Sequence, residues 1–352
     1  MAEQPQLWIR HEVRASERRA PLVPQDARRL VELGFRLTVE ESPQRVFPLE
    51  EYLAAGCTAA PAGSWTTAPE QSYVLGLKEL PEHPEQLTHR HIFFGHAYKG
   101  QQGSRELLAR FCRGGGELLD LEYLVDDAGR RLAAFGYWAG YVGAALGVLQ
   151  ARGRLTAPLR PLAKAELDDQ LRHSMREGSP DALVIGALGR CGRGAVDALE
   201  VAGLAATCWD VAETRALDRT ALLHHDLLVN TVLTTRPIPP FLRPTDLEER
   251  GRRLALVVDV TCDVTSDLNV LPVYRTVTEW ADPVRRLHQD PPLDLIAIDN
   301  LPSLLPAEAS RAFSAELVGP LRTLADPDSP WRHCRADFET ACRAHHLEAV
   351  HV

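Results

Sequence analysis

The run of residues 182–210 constrains this chain more than any other part of it. The apolar stretch ALVIGA (182–187) enters a glycine cluster, Gly186, Gly189, Gly192 and Gly194, after which Ala195, Val196, Ala198, Leu199 and Val201 recur at helical spacing up to Gly203. A second short apolar run, 206–209, ends in Asp210. Strand, glycine turn, helix, strand and terminal acid is the order in which a parallel sheet cradles a dinucleotide. The glycines let the backbone turn tightly beside a pyrophosphate, which sits at the helix N-terminus where free amides and the helix dipole favour negative charge. An acid about 20 residues downstream accepts hydrogen bonds from the adenine-ribose hydroxyls. It also repels a 2′-phosphate, so the pattern favours NAD over NADP. The spacing is Gly-x-x-Gly-x-x-Gly rather than Gly-x-Gly-x-x-Gly. A glycine cluster alone is a weak signal, and the flanking order, with further strand-like runs at 227–232 and 254–260, carries the assignment.

A chain of 352 residues exceeds the size at which one core stops growing, so two domains are expected. Hydrophobic residues make up 45% and charged residues 25%, globular usage, and no apolar run approaches the roughly 20 residues of a membrane span. The first 24 residues lack the apolar stretch of a secretory signal, so the expected location is the cytoplasm. The seven cysteines are scattered and contain no Cys-x-x-Cys, which argues for reduced thiols and against a zinc site; no metal is expected. A net charge of −9 argues against a nucleic-acid partner. A small-molecule substrate remains, and oligomeric state is left open.

Periodicity alternates strand and helix along the chain. The N-terminal part is expected to form helix 24–33, strand 35–40, helix 48–55, strands 73–77 and 91–95, helix 104–113, strand 117–124 and a turn at 126–130. Residues 135–149 are an apolar helix rich in Gly and Ala, as needed for close packing, and 150–180 form a surface excursion. Helices at 307–324 and 331–346 are expected to return to the first domain. The expected fold class is therefore α/β, two Rossmann-like domains with mostly parallel sheets and an intervening cleft: residues 1–136 plus 307–352 for substrate and catalysis, 137–306 for NAD.

The basic residues hold a clue to the chemistry. Of 39, only Lys78, Lys99 and Lys164 are lysine. Arginine stays charged at every working pH, whereas a desolvated lysine can release its proton and act as a base, so a base is a task arginine cannot take over. Lys164, in a polar helical stretch, is read as an ordinary surface residue. Lys78 and Glu79 end one expected strand, His96 and Lys99 follow another, Glu122 lies in a third, and Arg19 and Arg131 flank the set. Each alone is commonplace: a strand-end lysine is usually solvated, and a lone histidine is more often structural than catalytic. Parallel strands nevertheless gather their C-terminal ends at one edge, which would place Lys78 and His96 on the same crevice.

The strings GLKELPE (76–82), FFGHAYKGQ (93–101), GRRLAAFGYWAG (129–140), VIGALGRCGRGA (184–195) and IDNLPSLLP (298–306) closely resemble the lysine-forming, NAD-dependent saccharopine dehydrogenases, relatives of alanine dehydrogenase. The opening RHEVRASERRAPLVP and the stretch PAGSWTTAP are similar too, so the resemblance runs in order across nearly the whole chain.

The resemblance implies a reaction in which saccharopine, a secondary amine joining lysine to a glutarate skeleton, gives hydride to NAD and the imine is hydrolysed to lysine and 2-oxoglutarate. It implies Lys78 as the base for the amine proton and His96 as the acid-base group for addition of water. Arg19, Lys99, Gln101, Glu122, Arg131, Phe135 and the turn Thr261, Cys262, Asp263 are implied on the substrate side. Three carboxylates on the substrate account for cations gathered in an acidic protein. On the cofactor side it implies Arg130, Gly186, Gly189, Arg190, Asp210, Thr214, Leu233, Val260, Ile298, Asp299, Asn300 and Leu301. The chain departs from fungal members at Asn300, where histidine is expected, and is poorly matched over 150–180. Two alternatives stay open: a dehydrogenase of another amino acid or secondary amine, of the alanine dehydrogenase kind, and a non-catalytic NAD-binding regulator. The regulator would be expected to lack the lysine or the histidine, and both are present.

Overall fold

The structure, a computed structural model, describes residues 5–98, 103–234, 236–264 and 266–345. It divides into two compact units, residues 1–134 with 309–352 and residues 135–308. The first unit holds strands β1 (Gln6–Ile9), β2 (Arg36–Glu40), β3 (Thr58–Ala60), β4 (Tyr73–Leu75), β5 (Arg90–Phe93) and β6 (Glu117–Asp120), with helices α1 (Pro24–Glu32), α2 (Leu49–Ala54) and α3 (Ser104–Gly114). Its strands form one sheet in the order β3-β2-β1-β4-β5-β6, and every pairing is parallel. Such a sheet needs cover on both faces, and Leu7, Ile9, Val74, Leu75 and Ile92 are all fully buried. The order reverses direction between β1 and β4, a topological switch point at whose C-terminal edge α/β proteins place ligands.

Two local expectations change here. Residues 6–9 were not expected to form a strand, yet β1 is central, paired to β2 on one side and β4 on the other; four residues are too few to show a period against the charged segment that follows. The strand expected over 117–124 stops at Asp120, because the Asp120 carboxylate accepts the Glu122 amide and turns the chain into a single 3₁₀ turn, Leu121–Tyr123. Glu122 therefore stands in a turn beyond the strand. At the end of β2 the buried Glu40 accepts from Trp8 Nε1 (3.0 Å), from the amides of His11 (2.8 Å) and Gly63 (2.9 Å), and from the Trp65 amide (2.6 Å), stitching the loops after β1 and β3 to β2.

The second unit begins with α4 (Gly136–Ala151) and α5 (Lys164–His173), then β7 (Ala182–Ile185), α6 (Arg190–Val201), β8 (Ala206–Trp209), α7 (Val211–Thr214), α8 (Arg219–Leu223), β9 (Leu227–Asn230), β10 (Leu256–Asp259), β11 (Arg285–Gln289) and β12 (Pro292–Ile296). Its sheet runs β11-β12-β10-β9-β7-β8, parallel except for β11 against β12. The small-residue helix α4 packs backbone to backbone on α6: a Cβ on Gly140 would stand 1.8 Å from the Cys191 carbonyl, and one on Gly194 would stand 2.0 Å from that of Tyr137. Both glycines are needed for that approach.

After the second unit the chain enters α9 (Pro306–Leu321) and α10 (Trp331–Ala344). In the first unit, Ser310 and Ser314 of α9 accept hydrogen bonds from the amides of Ala20 and Val23, and Ser314 donates to Asp26 on α1. Among the described residues no helix is long and apolar enough to cross a membrane, no cluster suited to a metal occurs, and the cysteines are free thiols.

Candidate active site

At the C-terminal edge of the first sheet, the loops after β1, β4, β5 and β6 carry the charged residues. The loop after β1 supplies Arg10 and Glu12, both buried and 3.2 Å apart. Glu12 accepts the amides of Leu77 (2.7 Å) and Lys78 (3.1 Å), and Arg10 donates to the Lys78 carbonyl. The peptide groups flanking Lys78 are thus clamped by a buried ion pair across the switch point, while its side chain is half-buried.

Three carboxylates surround this lysine, and an arginine holds each. Arg19 grips Glu17 through Nε (2.8 Å), Nη2 (2.6 Å) and its own amide (2.9 Å). Burial alone would raise the Glu17 carboxyl, but the Arg19 charge and hydrogen bonds, with a further pull from Lys78, hold it at about 2. Glu79 is bound by Arg14 at 2.9 and 3.0 Å; against its burial, those bonds, and Lys78 again, lower its carboxyl. Lys78 therefore stands among carboxylates that arginines also hold. Sequence reasoning named Glu79 and Arg19 but missed Glu17, Glu12 and Arg10. Their signal lay in the RHEVRASERR string, whose burial no periodicity reveals.

His96 follows β5 and is the first of a chain of contacts. Its Nδ1 lies 3.4 Å from Glu122 Oε2, and Arg131 Nη2 donates to Glu122 Oε1 at 2.7 Å. Glu122 is mostly buried while His96 and Arg131 keep about half and a third of their side chains exposed, so the carboxylate is a floor on which the imidazole and the guanidinium are set. His96 adopts φ 48°, the left-handed region that non-glycine residues rarely visit and that clusters at functional sites. Phe94 stacks on its ring at 6.4 Å. A cavity of about 930 Å³ is lined by His96, Phe94, Gly95, Glu79 and Arg14, among others. Arg19, expected to anchor substrate, is only 4% exposed and committed to Glu17. Lys99 and Gln101 lie outside the described residues.

In the second unit, the turn after β7 gathers a second site. Gly186 takes φ 84°, and a Cβ on Gly192 would fall 2.1 Å from the Gly186 carbonyl, so neither position tolerates a side chain in this turn. Gly189 caps α6 without a side-chain bond, and Arg190 is its first residue, so the helix N-terminus opens directly from the glycine turn. Asp210 ends β8, accepts the Leu188 amide at 3.0 Å and caps α7 through the Val211 amide at 2.8 Å. One cavity of about 860 Å³ is lined by Gly186, Gly189, Asp210, Thr214 and Leu233 together, with Thr231, Ile238 and Phe241. Here the geometry fits a dinucleotide: a glycine turn, a helix N-terminus, an acid just after a strand and an apolar wall.

The remaining expected residues divide. Val260 and Leu301 turn toward Gly143 of α4, where an added Cβ would meet them at 2.8 and 3.3 Å, and Ile298 is buried in the same core. Asn300 has φ 73°, a conformation asparagine tolerates, as does the histidine expected there, and Asp299 beside it is exposed. Arg130 belongs to the first unit, where it pairs with Asp126 at 2.8 Å; Phe135 opens the second. Beyond β10, Asp259 accepts Thr261 through its amide (3.1 Å) and hydroxyl (2.7 Å), Asn230 Nδ2 (3.0 Å) and Tyr274 OH (2.7 Å). This buried carboxylate, missed in the sequence, shapes the turn that carries Thr261, Cys262 and Asp263. Cys262 sits at φ 53° with its thiol donating to the Asp259 carbonyl, and burial drives the thiol far up, so it stays protonated.

Residues 8–142 match the family model for the alanine dehydrogenase/PNT N-terminal domain. Saccharopine dehydrogenase [NAD(+), L-lysine-forming] of Schizosaccharomyces pombe is 40% identical over 360 aligned positions, covering 96% of this chain and 98% of that protein. The enzyme of the same name from Neurospora crassa is 41% identical, covering 95% of each. A solved L-alanine dehydrogenase superposes with a TM-score of 0.66 at 16% identity over 96% of this chain and 94% of that one, a likeness of fold. By near full-length identity to such relatives, the chain belongs to the NAD(+)-dependent, L-lysine-forming saccharopine dehydrogenase family.

Proposed function

We propose that this protein oxidises L-saccharopine with NAD⁺ and water to L-lysine and 2-oxoglutarate, and runs the reverse condensation with NADH. The relatives' shared name supports the substrate, and one observation carries the chemistry: Glu122 bonded to both His96 and Arg131 at the sheet edge that also bears Lys78. In this reading residues 135–308 form the NAD domain and residues 1–134 with 309–352 the substrate domain.

Gly186, Gly189, the first amides of α6, Arg190, Asp210, Thr214 and Leu233 would hold NAD⁺, with backbone contributions from Val260 and residues 298–301. The bound cofactor supplies the hydride acceptor. Lys78 takes the proton of the substrate's secondary amine. For that it must be neutral, and sharing Glu12, Glu17 and Glu79 with arginines weakens the pull of those carboxylates on its charged form. His96 moves the protons of water addition and of the final C–N cleavage, and Glu122 fixes the ring and steadies its charged form. Arg131, the more exposed arginine, receives a substrate carboxylate; Arg19 acts there by sharing its guanidinium with Glu17. Lys99 and Gln101, and the Thr261–Asp263 turn, belong to the substrate side in the same reading. Free thiols throughout favour a reducing compartment, the cytoplasm.

Absorbance at the NADH band, read while purified protein receives NAD⁺ with saccharopine and then NAD⁺ with alanine, tests this directly. Turnover with saccharopine alone is expected. Turnover with alanine alone would replace the substrate, and no turnover with either would remove the enzymatic reading.

A further inference from the structure

Asp120 ends β6 beneath the His96–Glu122–Arg131 chain and has no part in the reaction as proposed. Its side chain is fully buried. Oδ1 accepts the Glu122 amide at 2.9 Å, the bond that forms the turn presenting Glu122. Oδ2 is shut off from solvent and is approached by the backbone of Gly95. Gly95, the residue before His96, lies directly over it: a Cβ there would come within 3.2 Å of Oδ2 and 2.7 Å of Leu118. A fully buried carboxylate is costly unless neighbouring groups answer its charge.

The groups that face Asp120 come from three elements. The segment after β5 contributes His96 and Tyr98, the turn after β6 contributes Glu122 and Tyr123, and α10 contributes Cys334. Cys334 donates to the Asp120 carbonyl at 3.4 Å, so α10 closes the pocket from behind. Among these groups His96 alone can become positive. Burial pushes the Asp120 carboxyl up to about 6, and the Glu122 charge pushes the same way while the His96 charge opposes it.

We propose that Asp120 is a positioning residue for His96: through the turn it aims Glu122 at the imidazole, and its own buried charge favours the protonated ring. The inference rests on His96 being the acid-base group of the proposed reaction.

The test titrates His96 itself by NMR in protein labelled with ¹³C-histidine, the signal being assigned by its loss in His96→Gln, and compares wild type with Asp120→Asn. The asparagine keeps the acceptor for the Glu122 amide and removes the charge. Expected is a broad, non-single-site curve in wild type and a single-site curve in the variant, its midpoint lower by at least about half a unit. An unchanged His96 curve overturns the proposal. Should the variant not fold, the wild-type Asp120 carboxyl resonance decides: a midpoint overlapping that of His96 supports the coupling, and one near the ordinary value of about 3.9 overturns it. Because this reading needs no turnover, a shifted His96 curve in a protein silent toward saccharopine would sink the substrate assignment and leave the coupling standing.

Discussion

The two strand-end sites are built from opposite materials. In the first unit, side chains make the site: Arg10–Glu12, Arg14–Glu79 and Arg19–Glu17 pairs surround Lys78, and Glu122 ties His96 to Arg131. In the second unit, missing side chains make it: Gly186 turns left-handed, Gly192 lets the loop fold onto itself, and Gly189 leads straight into the N-terminus of α6. The contrast teaches how each site can fail. A charge web localises chemistry in one replaceable atom, so a substitution can abolish the reaction and spare the scaffold. A backbone cradle spreads its function over a turn, so a single methyl group disturbs fold and binding together.

The largest effect should come from Lys78→Met. We expect turnover to fall by about 10²–10⁴, the worth of a positioned base, while NAD⁺ affinity measured by calorimetry stays at the wild-type level. Equal loss of both would show that Lys78 supports structure and that the division of labour between the two sites is wrong.

Gly192→Ala probes the other side of the comparison. The added Cβ would lie 2.1 Å from the Gly186 carbonyl, so the turn must open. The expected cost is about 1–3 kcal/mol of stability together with weaker NAD⁺ binding. Unimpaired binding by a well-folded variant would mean that the cradle is not the cofactor site.

The smallest effect concerns acid. His91 of β5 is fully buried among Trp65, Phe93 and Phe111 with no hydrogen-bond partner on either ring nitrogen, and burial depresses its proton affinity far below the ordinary 6.5. The unfolded chain then binds the proton more readily. His91 stabilises the fold above about pH 6.5, and that contribution is lost as pH falls below it, by up to about 1.4 kcal/mol per unit. Asp120 acts in the opposite sense between 3.8 and about 6, where its protonated form favours the fold. A comparison with His91→Leu isolates the histidine: between pH 6.5 and 5.5 hydrogen exchange in β5 should accelerate in wild type relative to the variant. Parallel curves would mean that His91 is already partnered in solution.

Much of the architecture was legible in the chain. The glycine turn, the strand after it and Asp210 appear in order within thirty residues, because the dinucleotide cradle is a local structure whose demands are backbone demands. The strand ends bearing Lys78 and His96 were legible for the same reason. What escaped was short or non-local. β1 has four residues, and its central place depends on β2 and β4, each more than 25 positions away. Glu122 was expected within a strand because the run 117–124 is apolar, and one side-chain bond from Asp120 ended it early.

The histidines show the boundary best. His91 and His96 stand five positions apart in one apolar segment, and nothing local tells them apart. Sheet burial makes the first a neutral core residue, and the end of β5 delivers the second to a carboxylate. The sequence by itself determined the family, the alternation of strand and helix, the glycine turn and the candidate side chains for the chemistry, since these are properties of adjacent residues. Only the tertiary structure decided which carboxylates are paired with which arginines and which are buried. Burial and pairing are set by segments that meet from distant parts of the chain, and the cost of a charge depends on that meeting rather than on the residue that carries it.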